Sequence, residues 1–256
     1  MINLKTEQEI AIMKEGGQIL GRIAKEVSLL AVEGIELRYL DKIAHHLMIK
    51  AGGRPAFLNY RPEWAQKPYP ASICASVNNV IVHGLPNNYK LRNGDLLKID
   101  FGLLYKDFYT DIALTVGIGK ISEVGQKLIF VTKKALDIAL TNCYAGKTLG
   151  DIGYAINSYV RKNGFSVAKG LTGHGIGRRL HEEPSVFNEG QRKKGLKLEP
   201  WMVIAIEPMV SVGRGEIVQL EDESYAMQDS SLSAHFEDTV AITEGEPAVL
   251  TRVDTN

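Results

Sequence analysis

The feature that most narrows the fold is an internal repeat at an offset of 112 residues. Gly34-Ile35-Glu36-Leu37 lines up with Gly146-Lys147-Thr148-Leu149. Leu40 then meets Ile152, Ala44 meets Ile156, Leu47 meets Tyr159, Met48 meets Val160, and Gly52 meets Gly164. Identities are few, and two amphipathic helices can match by chance. The order of elements decides between these readings, because each copy belongs to a run of two helical patterns followed by strands. The expectation is a pseudo-symmetric α/β domain of two halves, with an active site between them to which strands of both supply ligands.

Local signals fill in that plan. Thr6-x-x-Glu9 is a capping box, after which Ile10, Met13, Gly17, Leu20, Ala24, Val27 and Ala31 keep helical spacing up to Gly34. A second helix carries Leu37, Leu40, Ile43, Ala44, Leu47 and Met48 and stops at Gly52-Gly53. Arg54 to Pro70 is rich in proline and aromatics and reads as an irregular loop. Strands are expected over Ser72 to Val77, Val80 to His83, Leu96 to Phe101 and Tyr109 to Val116. Further helices are expected from Glu123 to Cys143 and from Leu149 to Lys162, the latter stopped by Asn163-Gly164.

Composition excludes several classes. Thirty basic residues balance thirty acidic ones, so the strong basic excess of a duplex-binding domain is missing. The short Arg192-Lys193-Lys194 cluster reads as a solvated loop, and no nucleic-acid substrate is expected. Cys74 and Cys143 cannot make a disulfide framework and suit free thiols in a reducing compartment. Residues Met1 to Glu15 lack the apolar core of a signal peptide, and the apolar run Trp201 to Ile206 is too short to span a bilayer. A cytoplasmic protein without a membrane partner is expected.

The chemistry is carried by acidic residues in apolar strands. Asp100 lies in Leu97-Lys98-Ile99-Asp100-Phe101-Gly102 and Asp111 in Tyr109-Thr110-Asp111-Ile112, with a turn around Lys106-Asp107 folding them into one hairpin. Aspartate is depleted in strands and costly to bury unpaired, so two together point to a cation. Glu207 ends the run Met202 to Ile206, and Glu237 follows Ala234-His235-Phe236, where alternation sets His235, Glu237 and Thr239 on one face. His174 stands in Gly173-His174-Gly175-Ile176-Gly177, whose glycines permit close approach. Four converged carboxylates repel by several kcal/mol even at an effective dielectric of about 20. Two divalent ions cancel that charge, and bridging carboxylates hold such a pair roughly 3.5 to 4 Å apart. Oxygen-rich ligation with one histidine suits manganese, iron(II), cobalt or zinc. His83 and His181 lie outside this set and suit donation to a substrate carbonyl or its oxyanion, whereas His45-His46 read as structural.

These residues resemble the type I methionine aminopeptidases, of the "pita-bread" fold. The matching pieces are Ser76-Val77-Asn78-Asn79 leading to His83-Gly84-Leu85-Pro86, the Asp100/Asp111 pair, Gly173 to Gly177, His181-Glu182-Glu183-Pro184, Ile206-Glu207-Pro208 and Ser233 to Thr239. They occur in the family's order and cover most of the chain from Thr6 onward. The resemblance implies an α+β fold with an antiparallel sheet and helices on its outer face, forming one catalytic domain over residues 1–256. It implies that Asp111 and Glu237 bridge two metals, that Asp100 chelates one, and that His174 and Glu207 hold the other. Glu207 would also shuttle a proton, His83 and His181 would contact substrate, and Tyr69 and Cys74 match pocket positions. A monovalent cation near Asn78, Val80 and Ser233 is implied as well. The implied reaction is release of N-terminal methionine from nascent proteins whose second residue is small, by a monomer with ribosome association.

Three positions depart from the family pattern: Leu180 replaces a phenylalanine common in bacterial members, Glu223 replaces a tryptophan, and the loop from Tyr60 to Lys67 is longer. They bear on the methionine pocket rather than on catalysis. Prolidases and aminopeptidase P share the metal set and stand as the alternative, and a non-catalytic pita-bread binding protein stands as an alternative of another class.

Overall fold

The computed structural model describes residues 2–62 and 65–253. Helix α1 spans Glu7–Leu29 and begins with the expected capping box: the Thr6 hydroxyl accepts from Glu9 N at 3.2 Å, and the Glu9 carboxylate accepts from Thr6 N at 2.8 Å. It ends at Leu29, short of Gly34, because Leu30 N and Ala31 N tighten onto Val27 O and Ser28 O at 3.1 and 3.2 Å; Gly34 N then donates to Leu91 O at 2.8 Å and Leu91 N to Ile35 O at 2.9 Å. Helix α2 spans Leu37–Lys50. Helix α3, Glu123–Leu140, stops short of Cys143 because Asn142 and Cys143 tighten into three-residue turns onto Ala139 O and Leu140 O. Helix α4 spans Leu149–Lys162, the expected bounds.

Among the described residues a nine-stranded sheet runs through the molecule, and its pairs are antiparallel. Its longest unit is the hairpin Leu96–Tyr105/Phe108–Gly117, longer at both strands than the sequence suggested. Lys106 and Asp107 close it at φ 46° and 66°, the positive pair that a two-residue hairpin turn needs. From Phe108–Gly117 the sheet continues through Glu237–Ala241, Val203–Ile206, Thr172–Gly175 and Glu182–Phe187. Ile73–Val77 flanks the hairpin on its other side, and Arg54–Pro55 adds a short pairing inside the expected loop. Residues 63 and 64 of the Tyr60 to Lys67 loop lie outside the described residues. Two smaller three-stranded sheets carry Ser233–His235 and Val80–Val82.

Among the described residues, the two largest cores, one per half, hold this frame. Leu20, Ala24, Val27, Leu40, Ala44 and Met48 of α1 and α2 pack on Leu97, Ile99, Phe101 and Leu103. Leu128, Val131, Ala135, Ile152, Ile156 and Val160 of α3 and α4 pack on Ile204, Ile206, Val240 and Ile242. Each large apolar side chain so buried contributes about 1.5–3 kcal/mol, so the helix-facing residues fix which way the strands turn. The intervening Lys98, Asp100 and Gly102 therefore face the other side of the sheet.

The repeat is visible atom by atom. Gly34 and Gly146 sit at φ 86° and 89°, and Gly52 and Gly164 at 79° and 84°. Gly146 N donates to Leu198 O at 2.9 Å as Gly34 N does to Leu91 O. An isolated bridge joins Glu36 to Lys90 in the first half and Thr148 to Lys197 in the second. Lys90 and Lys197 are 107 residues apart, and so are Asp100 and Glu207.

Candidate metal centre

The two halves meet along Phe108–Gly117 and Glu237–Ala241, where two threonines tie the strands reciprocally. Thr239 Oγ1 donates to Asp111 O at 2.8 Å and accepts from Asp111 N at 2.9 Å. Thr115 Oγ1 donates to His235 O at 2.7 Å and accepts from His235 N at 2.9 Å. The ties hold one ligand-bearing segment of each half against the other.

Register places the acids. Asp100 opposes Ala113 and Asp111 opposes Gly102, so the two carboxylates are diagonal neighbours on one face. Ala113 also opposes Glu237, which brings that carboxylate to the same face. Asp111, His174 and Glu237 offer ligand atoms within 4.8 Å of one another, and Glu207, His235 and Glu237 do likewise. Glu237 belongs to both groups. Asp100 stands outside both at that distance, beside Asp111, with Cys74 as its cross-strand partner.

Electrostatics make this cluster unstable as a set of bare charges. Burial, partly opposed by His235, pushes Asp100 up to about 6. Burial likewise pushes Glu207 up to about 7, with His174 opposing. Asp111 and Glu237 are driven well above the carboxylate range by burial first and by the neighbouring acids second. Asp100 Oδ1, Asp111 Oδ1, Glu237 Oε1 and both ring nitrogens of His235 are buried without a hydrogen-bond partner among the described residues. Such atoms normally find one, and a cation satisfies several together. His174 Nδ1 lies 2.9 Å from Gly175 O; donating there leaves the Nε2 lone pair, 3.8 Å from Glu207 Oε1, turned toward the acids. A lone pair facing a carboxylate is repulsive unless a cation lies between them. The residues present fit divalent metal ions.

Sequence reasoning named Asp100, Asp111, His174, Glu207 and Glu237, and the fold brings all five into one region. It missed His235, whose Nε2 lies 3.4 Å from Glu207 Oε2 and 3.9 Å from Glu237 Oε2. The signal was present: Asp111 and Thr115 are four residues apart, as are His235 and Thr239, so the threonine ties give His235 the place in the second half that Asp111 has in the first.

The accessory histidines flank the cluster. His181 stacks edge-on to His174 with ring centroids 4.4 Å apart, and its Nδ1 lies 2.9 Å from the Tyr60 hydroxyl. Its segment is tied down by the buried ion pair of Lys5 with Glu182 at 2.7 Å. His83 sits at φ 59° just after Val80–Val82, edge-on to Tyr225. Burial, then His235, lowers His83 to about 4. Desolvation, then the His174 and His83 imidazoles, lowers His181 as well. Both rings are neutral at pH 7 and able to donate one N–H each. Tyr69 points its hydroxyl at Gly84 O (2.9 Å) and Ile73 O (3.1 Å), and it clusters with Phe57, Tyr60, Cys74 and Leu180 in an apolar wall. Cys74 and Cys143 are both free and buried, and burial raises both thiols, so neither is a nucleophile. Two departures from the family pattern touch: Gln66 N donates to the Glu223 carboxylate at 3.3 Å.

The place implied for a monovalent ion is differently furnished. Asn78 O accepts from Lys98 Nζ at 2.6 Å, from Ser233 Oγ at 2.9 Å and from Ser233 N at 3.1 Å. A carbonyl that already takes three donors does not fit a free ion.

Comparison with known proteins agrees with this picture. The model of the metallopeptidase family M24 matches residues 11–244, and the chain belongs to that family. A methionine aminopeptidase of Clostridium perfringens is 41% identical over 254 residues, covering 99% of this chain and 100% of that protein. Methionine aminopeptidase 1 of Bacillus subtilis is 39% identical, with coverage of 99% and 100%. The crystal structure of a methionine aminopeptidase from Thermotoga maritima superposes with a TM-score of 0.94 at 36% identity, covering 98% of this chain and 100% of that one. Among the described residues no helix is long and apolar enough to cross a membrane.

Proposed function

We propose that this chain is a metal-dependent aminopeptidase that removes the N-terminal methionine from nascent proteins with a small second residue. The observation that carries the reading is the pair of three-residue groups sharing Glu237, set between neutral histidines. Divalent ions bound there supply Lewis acidity, polarising the scissile carbonyl and acidifying the attacking water. Manganese, iron(II), cobalt and zinc all suit the oxygen-rich donor set.

The chain's own residues do the rest. Asp111 and Glu237 would serve as shared ligands, Asp100 would chelate on the first-half side, and His174 with Glu207 would hold the other position. Glu207 would also move the proton from the attacking water to the leaving amine. If the Tyr60 hydroxyl donates to His181 Nδ1, the ring proton stays on Nε2, where it can donate to the substrate carbonyl. His83 donates from the opposite flank to the oxyanion that develops. Tyr69 and Cys74 line the apolar wall that receives the methionine side chain. We place the enzyme in the cytoplasm as a monomer of one catalytic domain, residues 1–256, acting on chains near the ribosome.

The test is release of free methionine from a Met-Ala-Ser peptide by stripped enzyme given manganese, cobalt or iron(II), beside a peptide with proline second. Metal-dependent methionine release is expected. Cleavage of only the proline peptide assigns the chain to the prolidase reading. That reading draws on likeness to a prolidase of Pyrococcus furiosus (TM-score 0.77, 23% identity, covering 98% of this chain and 66% of that one), which speaks to fold alone. Silence on both peptides favours a binding protein.

A further inference from the structure

We propose that the Lys98 ammonium is a built-in monovalent cation at the Asn78 carbonyl, so that this chain needs no sodium or potassium ion there. Lys98 is among the largest fully buried side chains, 1% exposed, and it lies two residues before Asp100 on the same face of its strand. A buried ammonium is tolerated only where strong acceptors meet it. Its 2.6 Å contact with Asn78 O is short even for a charge-assisted bond. Burial holds the Lys98 amine well below the ordinary lysine range, with the Asp95 carboxylate opposing, so the inference rests on the placement of Nζ rather than on its titration. Asp95 in turn accepts from Asn78 Nδ2 at 2.9 Å, so acid, amide and ammonium form one connected set.

What the ammonium touches explains why a cation is useful. Asn78 sits at φ 53° in the turn between Ile73–Val77 and Val80–Val82, and that second strand leads directly to His83. Ser233, which donates to the same carbonyl, also lies 3.5 Å from Val80 O and opens the strand leading through His235 toward Glu237. One positive charge on the strand of Asp100 therefore gathers the turn beside His83 and the approach to Glu237. A free ion could do this, but the tethered amino group cannot be washed out. Lys98 is a positioning residue in this account, not a catalytic one, and the inference does not depend on which peptide the enzyme cleaves.

The experiment compares thermal melting of the full chain in sodium, potassium and tetramethylammonium chloride at equal ionic strength. Wild type should melt within about 1 °C in all three, because no site is open for the smaller ions to fill. Lys98→Ala removes the ammonium and leaves room, so it should melt lower in tetramethylammonium and recover about 3 °C or more in sodium or potassium, saturably. Lys98→Met removes the charge but keeps the stem, and it should melt lower without recovery. A saturable rise of the wild-type melting temperature with sodium or potassium overturns the proposal. So does a Lys98→Ala protein that melts identically in the three salts. Should Lys98→Ala not fold, the wild-type comparison still decides.

Discussion

The two helix pairs enter the sheet through matching hinges, Gly34 and Gly146, yet the strands beyond those hinges differ. The first half offers two ten-residue strands in a tight hairpin, and its contribution to the cluster is carboxylate alone: Asp100 and Asp111. The second half offers Val203–Ile206 and Glu237–Ala241, four and five residues long, and it adds the imidazoles His174 and His235 to Glu207 and Glu237. Where backbone geometry is demanding, as at a left-handed glycine, the halves have stayed alike. Where only a donor atom must reach a point in space, they have diverged. The divergence gives the cluster its chemistry, since a purely anionic double of the first half would lack a neutral nitrogen ligand.

The largest effect that separates scaffold from site is expected at Asp111. Asp111→Ala should lower methionine release by about a thousandfold or more and lose bound metal with it, because a shared ligand serves both positions. His83→Ala, on the flank, should lower the catalytic rate by about a hundredfold while metal content stays at the wild-type level, the size expected for one oxyanion donor. Elemental analysis beside the peptide assay checks both, and metal loss in His83→Ala would move that residue into the ligand set.

Next come the two cores. Leu40→Ala and Ile152→Ala each truncate a side chain with no exposed surface, and each should cost about 2–5 kcal/mol in a urea titration. If the halves form one cooperative unit, both variants unfold in a single transition. Two separate transitions would break the comparison by showing independent halves. The smallest contrast lies at the helix starts. Thr148 caps α4 with a full capping box, whereas Glu36 caps α2 with no side-chain bond. Thr148→Ala should therefore cost about 1 kcal/mol and Glu36→Ala less than about 0.5 kcal/mol.

How much of this was legible in the sequence depends on the range of the interaction. The capping box at Thr6, the span of α4 and the turn at Lys106-Asp107 are settled by neighbours a few residues away, and all were readable. The end of α1 was not, because Ala31 keeps the helical spacing although the backbone has already tightened onto Val27 O and Ser28 O after Leu29. The four acids were readable from their cost: charged groups amid Leu97, Ile99, Phe101 and Ile206 demand a partner. His235 was hidden because its role depends on which strand of the first half it lies against, and that register follows from the threonine ties. Lys98 was hidden for a similar reason. A lysine in a strand reads as solvated until the fold shows the Asn78 carbonyl against it.

The central claim is that one metal centre is assembled from both halves, and metal stoichiometry after dialysis against manganese tests it most directly. Wild type, Asp100→Ala from the first half and Glu207→Ala from the second would be compared at equal concentration. About two ions per wild-type chain, with at least one lost in each variant, is the predicted result. Full manganese content in either variant would contradict the account, because the centre would then be the property of one half alone.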